Sequence, residues 1–338
     1  MANGIYRSPN VYVIAIVVFV IVAIIIGVII YITQKKTHFD HMRVQEKMPI
    51  DFFGVKNKSV YERNVQEGQR YMRGKTMIIA GLARDSGDSI ESMLDESVKI
   101  GSMCADYRII IVENDSRDDT RNILLRRAQA NSKIIILGCG INVPSCTLNM
   151  RKTVGHPIET WRIEKMVHLR NIYMDHVRQH FSNFDFLMIF DFDLSCKLWE
   201  EVFAQNFYHF KNDESIDAIC CNGQCAGMID KATGSTYYCD PYAHVDLDED
   251  VYTMSSLDKA DTDAWKQRYD ERIKVSLDGK LVRVKSCFGE CVIYRTAKVV
   301  DKVYSVVLDK YHELPICEHV KFNQDLNIYL NPAAVIMI

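Results

Sequence analysis

Apolar positions follow three regimes along the chain. From Val11 to Ile32 they are unbroken, 22 residues without a charge. As a helix this run reaches about 33 Å, enough for a bilayer core. Tyr12 and Tyr31 stand at its two ends, where interfacial aromatics belong. It is too long for the apolar region of a signal peptide, and no A-x-A-like site follows. The pattern therefore predicts an uncleaved membrane anchor (11–32) behind a short tail (1–10). Residues 33–75 are polar and mixed in charge, and predict a stalk. From Thr76 onward short strand-type runs alternate with helical spacing. Strands are expected at Thr76–Ala83, Tyr107–Val112, Lys133–Leu137 and Phe184–Phe190. Helices are expected over Ser86–Ile100, with Asp88 and Glu91 as a capping box, from Asp118 or Asp119 through Ala128, and over Ile163–Phe181. The alternation predicts an α/β fold with a mainly parallel sheet covered on both faces. Ligands of such sheets bind outside the carboxyl ends of the strands.

Composition narrows this further. Net charge is -3 with pI near 6.4, which leaves no electrostatic footprint for nucleic acid. Mean hydropathy of -0.09 excludes a polytopic membrane protein but allows one span. The 11 cysteines include no C-x2-C pair, which argues against a structural zinc. Disulfides fit only an oxidising compartment. Arg7 precedes the apolar run, and Lys35, Lys36, Arg43 and Lys47 follow it, so the flanking charges lean toward a cytosolic body. Asn57-Lys58-Ser59 is a plausible glycosylation sequon. Asn114-Asp115-Ser116 sits at a strand end, where it is poorly usable.

Chemistry collects at the strand ends. The first strand closes in Ala83-Arg84-Asp85, the second in Glu113-Asn114-Asp115-Ser116, and the fourth in Asp191-Phe192-Asp193. One acidic strand end commonly caps the next helix. Three on one edge call for a cation or a donor-rich ligand, because unpaired carboxylates repel one another. Asp191 and Asp193 point to the same side of an extended chain, and two carboxylates together suit Mg²⁺ or Mn²⁺.

This arrangement resembles the Rossmann-like type-A (GT-A) glycosyltransferase fold. Gly81-Leu-Ala-Arg-Asp85 looks like the opening strand of membrane-bound glycosyltransferases. Val112-Glu-Asn-Asp-Ser-Arg-Asp-Asp-Thr120 resembles a segment of the fungal capsule-associated mannosyltransferase family and its bacterial and viral relatives. His168-Leu-Arg-Asn171, Tyr238-Cys-Asp-Pro-Tyr-Ala243, Cys317-Glu-His319 with Phe322-Asn323, and Asn331-Pro332 are similar to further segments of that family. The matches run from about Met77 to Pro332. Two departures are Cys239, an extra residue between Tyr238 and Asp240, and Glu290, where small residues are common.

The resemblance implies a transferase domain over 76–338, with a nucleotide-sugar-binding half (76–195) and an acceptor-binding half (196–338). It implies a hexosyl donor, GDP-mannose favoured over a UDP-sugar, a glycan or glycoconjugate acceptor, and a lumenal body anchored in the Golgi or endoplasmic reticulum. Asp191, Asp193 and, from the C-terminal segment, His319 are the expected metal ligands. Ala83, Arg84, Glu113, Asp115, Arg170 and Asn171 are expected on the donor side. Asp240, Glu290, Glu318 and Asp325 are candidates for acid/base work or acceptor binding. Two other readings compete. One is a haloacid-dehalogenase-like phosphatase or phosphotransferase with Asp191 as nucleophile, although three βα units precede that aspartate. The other is a non-catalytic, membrane-anchored sugar-binding domain.

Overall fold

The computed structural model describes residues 18–27, 49–138, 140–142, 160–225, 237–250, 276–277, 280–310 and 315–338. Residues 18–27 form helix α1, inside the apolar run. The rest of 11–32 lies outside the described residues. Among those described, no helix is long and apolar enough to cross a membrane. Residues 1–47 and 48–338 are separate compact units, and the second carries everything that follows.

That unit begins with α2 (Pro49–Phe53) and α3 (Lys58–Met72). It continues through β1 (Thr76–Ala83), α4 (Ile90–Gly101), β2 (Asp106–Glu113), α5 (Thr120–Ala130) and β3 (Ile134–Gly138). Helix α6 (Thr160–His180) leads into β4 (Phe186–Phe190), α7 (Glu200–Asn212) and β5 (Ala218–Cys225). The remainder is β6 (Tyr237–Tyr238), β7 (Val282–Val284), β8 (Cys291–Arg295), α8 (Thr296–Val299), α9 (Glu318–Asn323) and β9 (Ile328–Met337). The sheet order is β3-β2-β1-β4-β8-β5-β9-β7, with β6 beside β5.

Strands β3, β2, β1 and β4 are parallel in register, as the alternation predicts. Beyond β4 the sheet is mixed. Strand β8 lies antiparallel to both β4 and β5, and β7 antiparallel to β9, while β5 and β9 are parallel. Side-chain alternation splits the core in two. Ile78, Ala80, Leu82, Ile110 and Val112 face α6 residues Leu169, Tyr173 and Val177. Met77, Ile79, Ile109 and Ile111 face the opposite side with Met93, Leu94 and Phe207. Their near-complete burial supplies the main driving force, about 1.5–3 kcal/mol per large apolar side chain.

Two local expectations change. The stalk expected through residue 75 ends earlier. Tyr61, Val65, Gly68 and Met72 of α3 are buried, the Gln205 amide of α7 donates to Tyr61 O (3.2 Å), and Lys211 pairs with Glu67 (2.7 Å). Charged residues filling the outer face of α3 masked this stripe. The Asp88–Glu91 capping box does not form. Helix α4 starts at Ile90, and Ser86 O accepts from the Ser89 and Ile90 amides.

The exit of β4 is fixed by Gly81. A Cβ there would stand 1.8 Å from Phe190 O, so only glycine lets β4 leave flush against β1. The Phe192 amide then donates to Leu82 O (3.1 Å), which sets Asp191 and Asp193 beside Ala83 and Arg84.

Candidate active site

Two cavities meet at the carboxyl edge. The first, about 270 Å³, is lined by Ala83 and Arg84 after β1, Asn114 after β2, Asp191 and Asp193 after β4, and Trp161 and Lys165 of α6. Three strand ends thus share one rim, but of the acids that the sequence places there only Asp191 and Asp193 line it, and Asp85, Glu113 and Asp115 do not. Arg84 pairs with Asp85 (3.3 Å) and keeps 41% of its side chain exposed. The Lys165 ammonium titrates below its usual range, through burial first and the nearby Arg84 charge second. The indole N–H of Trp161 has no acceptor among the described residues. Two cations and a spare donor facing two aspartates suit a ligand that bears phosphates together with a cation.

The turn after β2 is held from within. The buried Glu113 carboxylate accepts from the Ser116 amide (2.7 Å) and from Nε of Arg121 (2.7 Å). The Asp85 amide donates to Ser116 Oγ (3.0 Å), and Asp85 Oδ1 accepts from the Arg117 amide (2.7 Å). Asp85 and Asp115 take left-handed backbone angles (φ 49° and 52°). Glu113 therefore shapes the turn and has little acceptor capacity left for a base or ribose, contrary to the sequence expectation. Asp115 is exposed beside Arg121 (3.6 Å), and Asn114 is the turn's contribution to the cavity lining.

The second cavity, about 330 Å³, shares Asp191, Arg162 and Met166 with the first. Its lining adds Arg170, Asp240, Glu290, Glu318 and His319, so most candidates from the acceptor half converge here. Arg170 is buried, and its Nε donates to Glu318 Oε1 (2.8 Å). Its Nη2 reaches Asp191 Oδ1 at 3.4 Å. The Asp191 carboxyl is pushed up to about 6, by burial against the opposing pull of Arg170, with Asp193, Glu318 and Asp240 adding to the rise. Glu290 sits at a left-handed backbone angle (φ 65°), and its carboxyl is pushed up to about 9 by burial, then by Asp240, Asp191 and Asp193. Glu290 therefore carries a proton at neutral pH and offers a donor. Asp240 accepts from the Gly289 amide (3.1 Å). Two disulfides brace this side. Cys220–Cys287 ties β5 to the residue before Phe288, and Cys225–Cys239 ends next to Asp240.

Besides Glu113 and Asp115, two more expected site residues lie outside both cavities. Asn171 clasps the backbone of Tyr304, donating to its carbonyl (3.0 Å) and accepting from its amide (2.9 Å). It faces away from the cavities because it follows Arg170 by a quarter turn of α6. Asp325 lines a different cavity, in the turn after α9.

No three His, Cys, Asp or Glu side chains among the described residues form a ready cage for a metal, so His319 is not grouped with the two aspartates. A divalent cation held by one or two carboxylates plus substrate phosphates needs no such cage. The crowded carboxylates form a hard-oxygen donor set of the matching kind. His319 stacks on Phe288 (4.3 Å between rings), and burial with the Arg170 charge keeps it neutral. Its Nε2 has no hydrogen-bond partner among the described residues, with Glu318 Oε1 3.9 Å away, and His319 lies in the second cavity's wall.

The sequence reading assigned no site role to Arg162, Lys165 or Met166. The signal was available: Arg162, Met166 and Arg170 recur every four residues, one stripe of α6.

Two outcomes follow directly. In the folded chain Glu290 holds a proton that the unfolded chain releases above about 4.5, so its contribution to stability falls as pH rises toward 9. Glu290→Gln is expected to match the parent protein at pH 4 and to exceed it at pH 8 by about 1–3 kcal/mol in urea melts without divalent ions. Removing Cys220–Cys287, whose partners lie 67 residues apart, is expected to cost about 4 kcal/mol. Calorimetry of Cys220→Ala/Cys287→Ala measures it.

No family model matches the chain, and no curated protein matches it. Among solved structures it is similar to the mannosyltransferase PcManGT from Pyrobaculum calidifontis in complex with GDP-Man and Mn²⁺, at 11% identity over 83% of this chain and 64% of that one, TM-score 0.42. It is also similar to S. aureus TarS 1–349, at 13% identity over 78% of this chain and 60% of that one, TM-score 0.41. The chain thus spans less than two thirds of either structure. At these identities and scores the likeness says nothing of what this chain binds or does.

Proposed function

We propose that the chain is a glycosyltransferase that moves a hexose from a nucleotide sugar to a glycan or glycoconjugate acceptor. One observation carries this reading: Arg84, Asn114, Lys165, Asp191 and Asp193 line one cavity, which adjoins a second holding Asp240, Glu290 and Glu318. The first suits a diphosphate and the second a polyhydroxyl acceptor, since carboxyl groups accept and donate to hydroxyls. Asp193 and Asp191 would hold Mn²⁺ or Mg²⁺ together with the donor's phosphates, and the cation would offset charge on the departing diphosphate. Arg84 and Lys165 add to that compensation. Protonated Glu290 donates a hydrogen bond into the acceptor cavity, while Asp240 and Glu318 orient acceptor hydroxyls.

GDP-mannose is the favoured donor, on the segment resemblances at Val112–Thr120 and Cys317–His319. The two disulfides support a body in an oxidising, lumenal compartment, with residues 11–32 as its anchor. The test is turnover: purified chain, Mn²⁺, and a panel of GDP- and UDP-sugars, following nucleoside diphosphate release. Metal-dependent release from one nucleotide class is expected. No release from any donor, with or without small glycan acceptors, overturns the reading.

A further inference from the structure

We propose a second ligand site, on the far side of α9 from the reaction cavities, that binds an amphipathic anion: an apolar chain ending in a phosphate or comparable anionic head. A cavity of about 260 Å³ lies there, with Val284, Val307, Ile316, Val320 and Leu326 in its lining. It is set between the edge strand β7, the segment around residue 307, and α9. Its volume falls near the lower end of ligand pockets, enough for part of a lipid-sized chain.

The charges on the lining are lopsided. Arg283, Lys285 and Lys321 are exposed there, and none forms an ion pair with a described carboxylate. Lys285 Nζ donates to the backbone carbonyl of Glu249, and Lys321 Nζ to Gln324 Oε1 (2.6 Å). Both bonds leave the positive charge uncompensated. One acid, Asp325, stands among them, and Lys302 feels its charge. Apolar walls beside unpaired cations match a chain with an anionic head and disfavour a neutral or cationic amphiphile. Exposed Leu247, also in the lining, and Val282 next to Arg283 extend the apolar surface.

The site also has a neighbour. Helix α9 presents Glu318 and His319 to the reaction cavity and Val320 and Lys321 to this one. A ligand seated here would lean on the helix that carries Glu318. The proposal stands whether or not the transfer reading holds.

The experiment uses the full chain and a dodecyl phosphate carrying a photoreactive diazirine in its tail. Adducts are expected on peptides containing Val307, Ile316, Val320 or Leu326. Excess unlabelled dodecyl phosphate should cut labelling about tenfold, with inorganic phosphate and dodecanol leaving it unchanged. Val307→Trp, which fills the cavity from a partly exposed wall, should abolish these adducts. Arg283→Glu/Lys321→Glu, two surface changes, should weaken them about tenfold. Displacement by phosphatidylserine-containing vesicles identifies lipid drawn from a bilayer, and displacement by dissolved dodecyl phosphate but not by vesicles identifies a monomeric ligand. Adducts confined to other segments, equal competition by dodecanol, or labelling untouched in both variants overturns the proposal.

Discussion

Arg170→Met is expected to destabilise the protein by about 3–5 kcal/mol, the cost of stranding buried charge. The guanidinium is 2% exposed, bonds Glu318, reaches Asp191, and lies over the rings of Phe288 (5.5 Å) and Tyr304 (5.9 Å). Methionine keeps much of the volume and removes the cation. Asp191, already raised to about 6, then loses its main opposing influence and rises further. Because a raised carboxyl favours the protonated folded state, its destabilising effect grows as pH climbs from the unfolded carboxyl range through the folded value. The deficit of Arg170→Met should therefore be smaller at pH 5 than at pH 8, and Asp191→Asn in the same chain should restore part of it. Urea melts at both pH values measure this. A deficit below about 1 kcal/mol, or one equal at both pH values, would mean Arg170 is not the charge that holds the two cavities together.

Asp193→Asn is the second large expectation. Asp193 is exposed on the first cavity and makes no hydrogen bond or ion pair with a described residue, so folding stability should change by less than about 0.5 kcal/mol. If the chain transfers sugar, turnover should fall about a thousandfold, roughly 4 kcal/mol in the barrier, as when one preorganised stabiliser of developing charge is lost. The split between an intact fold and lost turnover separates a catalytic role from a structural one. Full turnover in Asp193→Asn would remove the residue from the chemistry.

The part of the fold that was legible in the sequence is the part buried on both faces. The runs TMIIAGLA, RIIIV, IIIL and FLMIF are nearly continuous apolar stretches, and each appears as a parallel strand. Past β4 the signal fails because β5 reads AICCNGQC. Its buried Asn222 and Gln224 bond each other and the Pro332 carbonyl, which a period-based reading counts as loop. Helix α3 was hidden by its charged outer face. At the site, the strand-end aspartates were legible because strand direction alone places them. The role of Glu113 was not, since it depends on Arg121 reaching back eight residues from α5. Asp240, Glu290 and Glu318 were nameable as acids, but their meeting depends on disulfides and on β8 inserting between β4 and β5.

The shared rim at the ends of β1, β2 and β4 is tested most directly by calorimetric binding of GDP-mannose and a UDP-sugar panel to the full chain, with and without Mn²⁺, in parent protein and in Asp193→Asn. Saturable, Mn²⁺-dependent binding of one nucleotide class, weakened at least tenfold in Asp193→Asn, is the expected result. Absence of binding by every nucleotide sugar, or equal binding with the aspartate removed, would contradict a cation–diphosphate site at this edge.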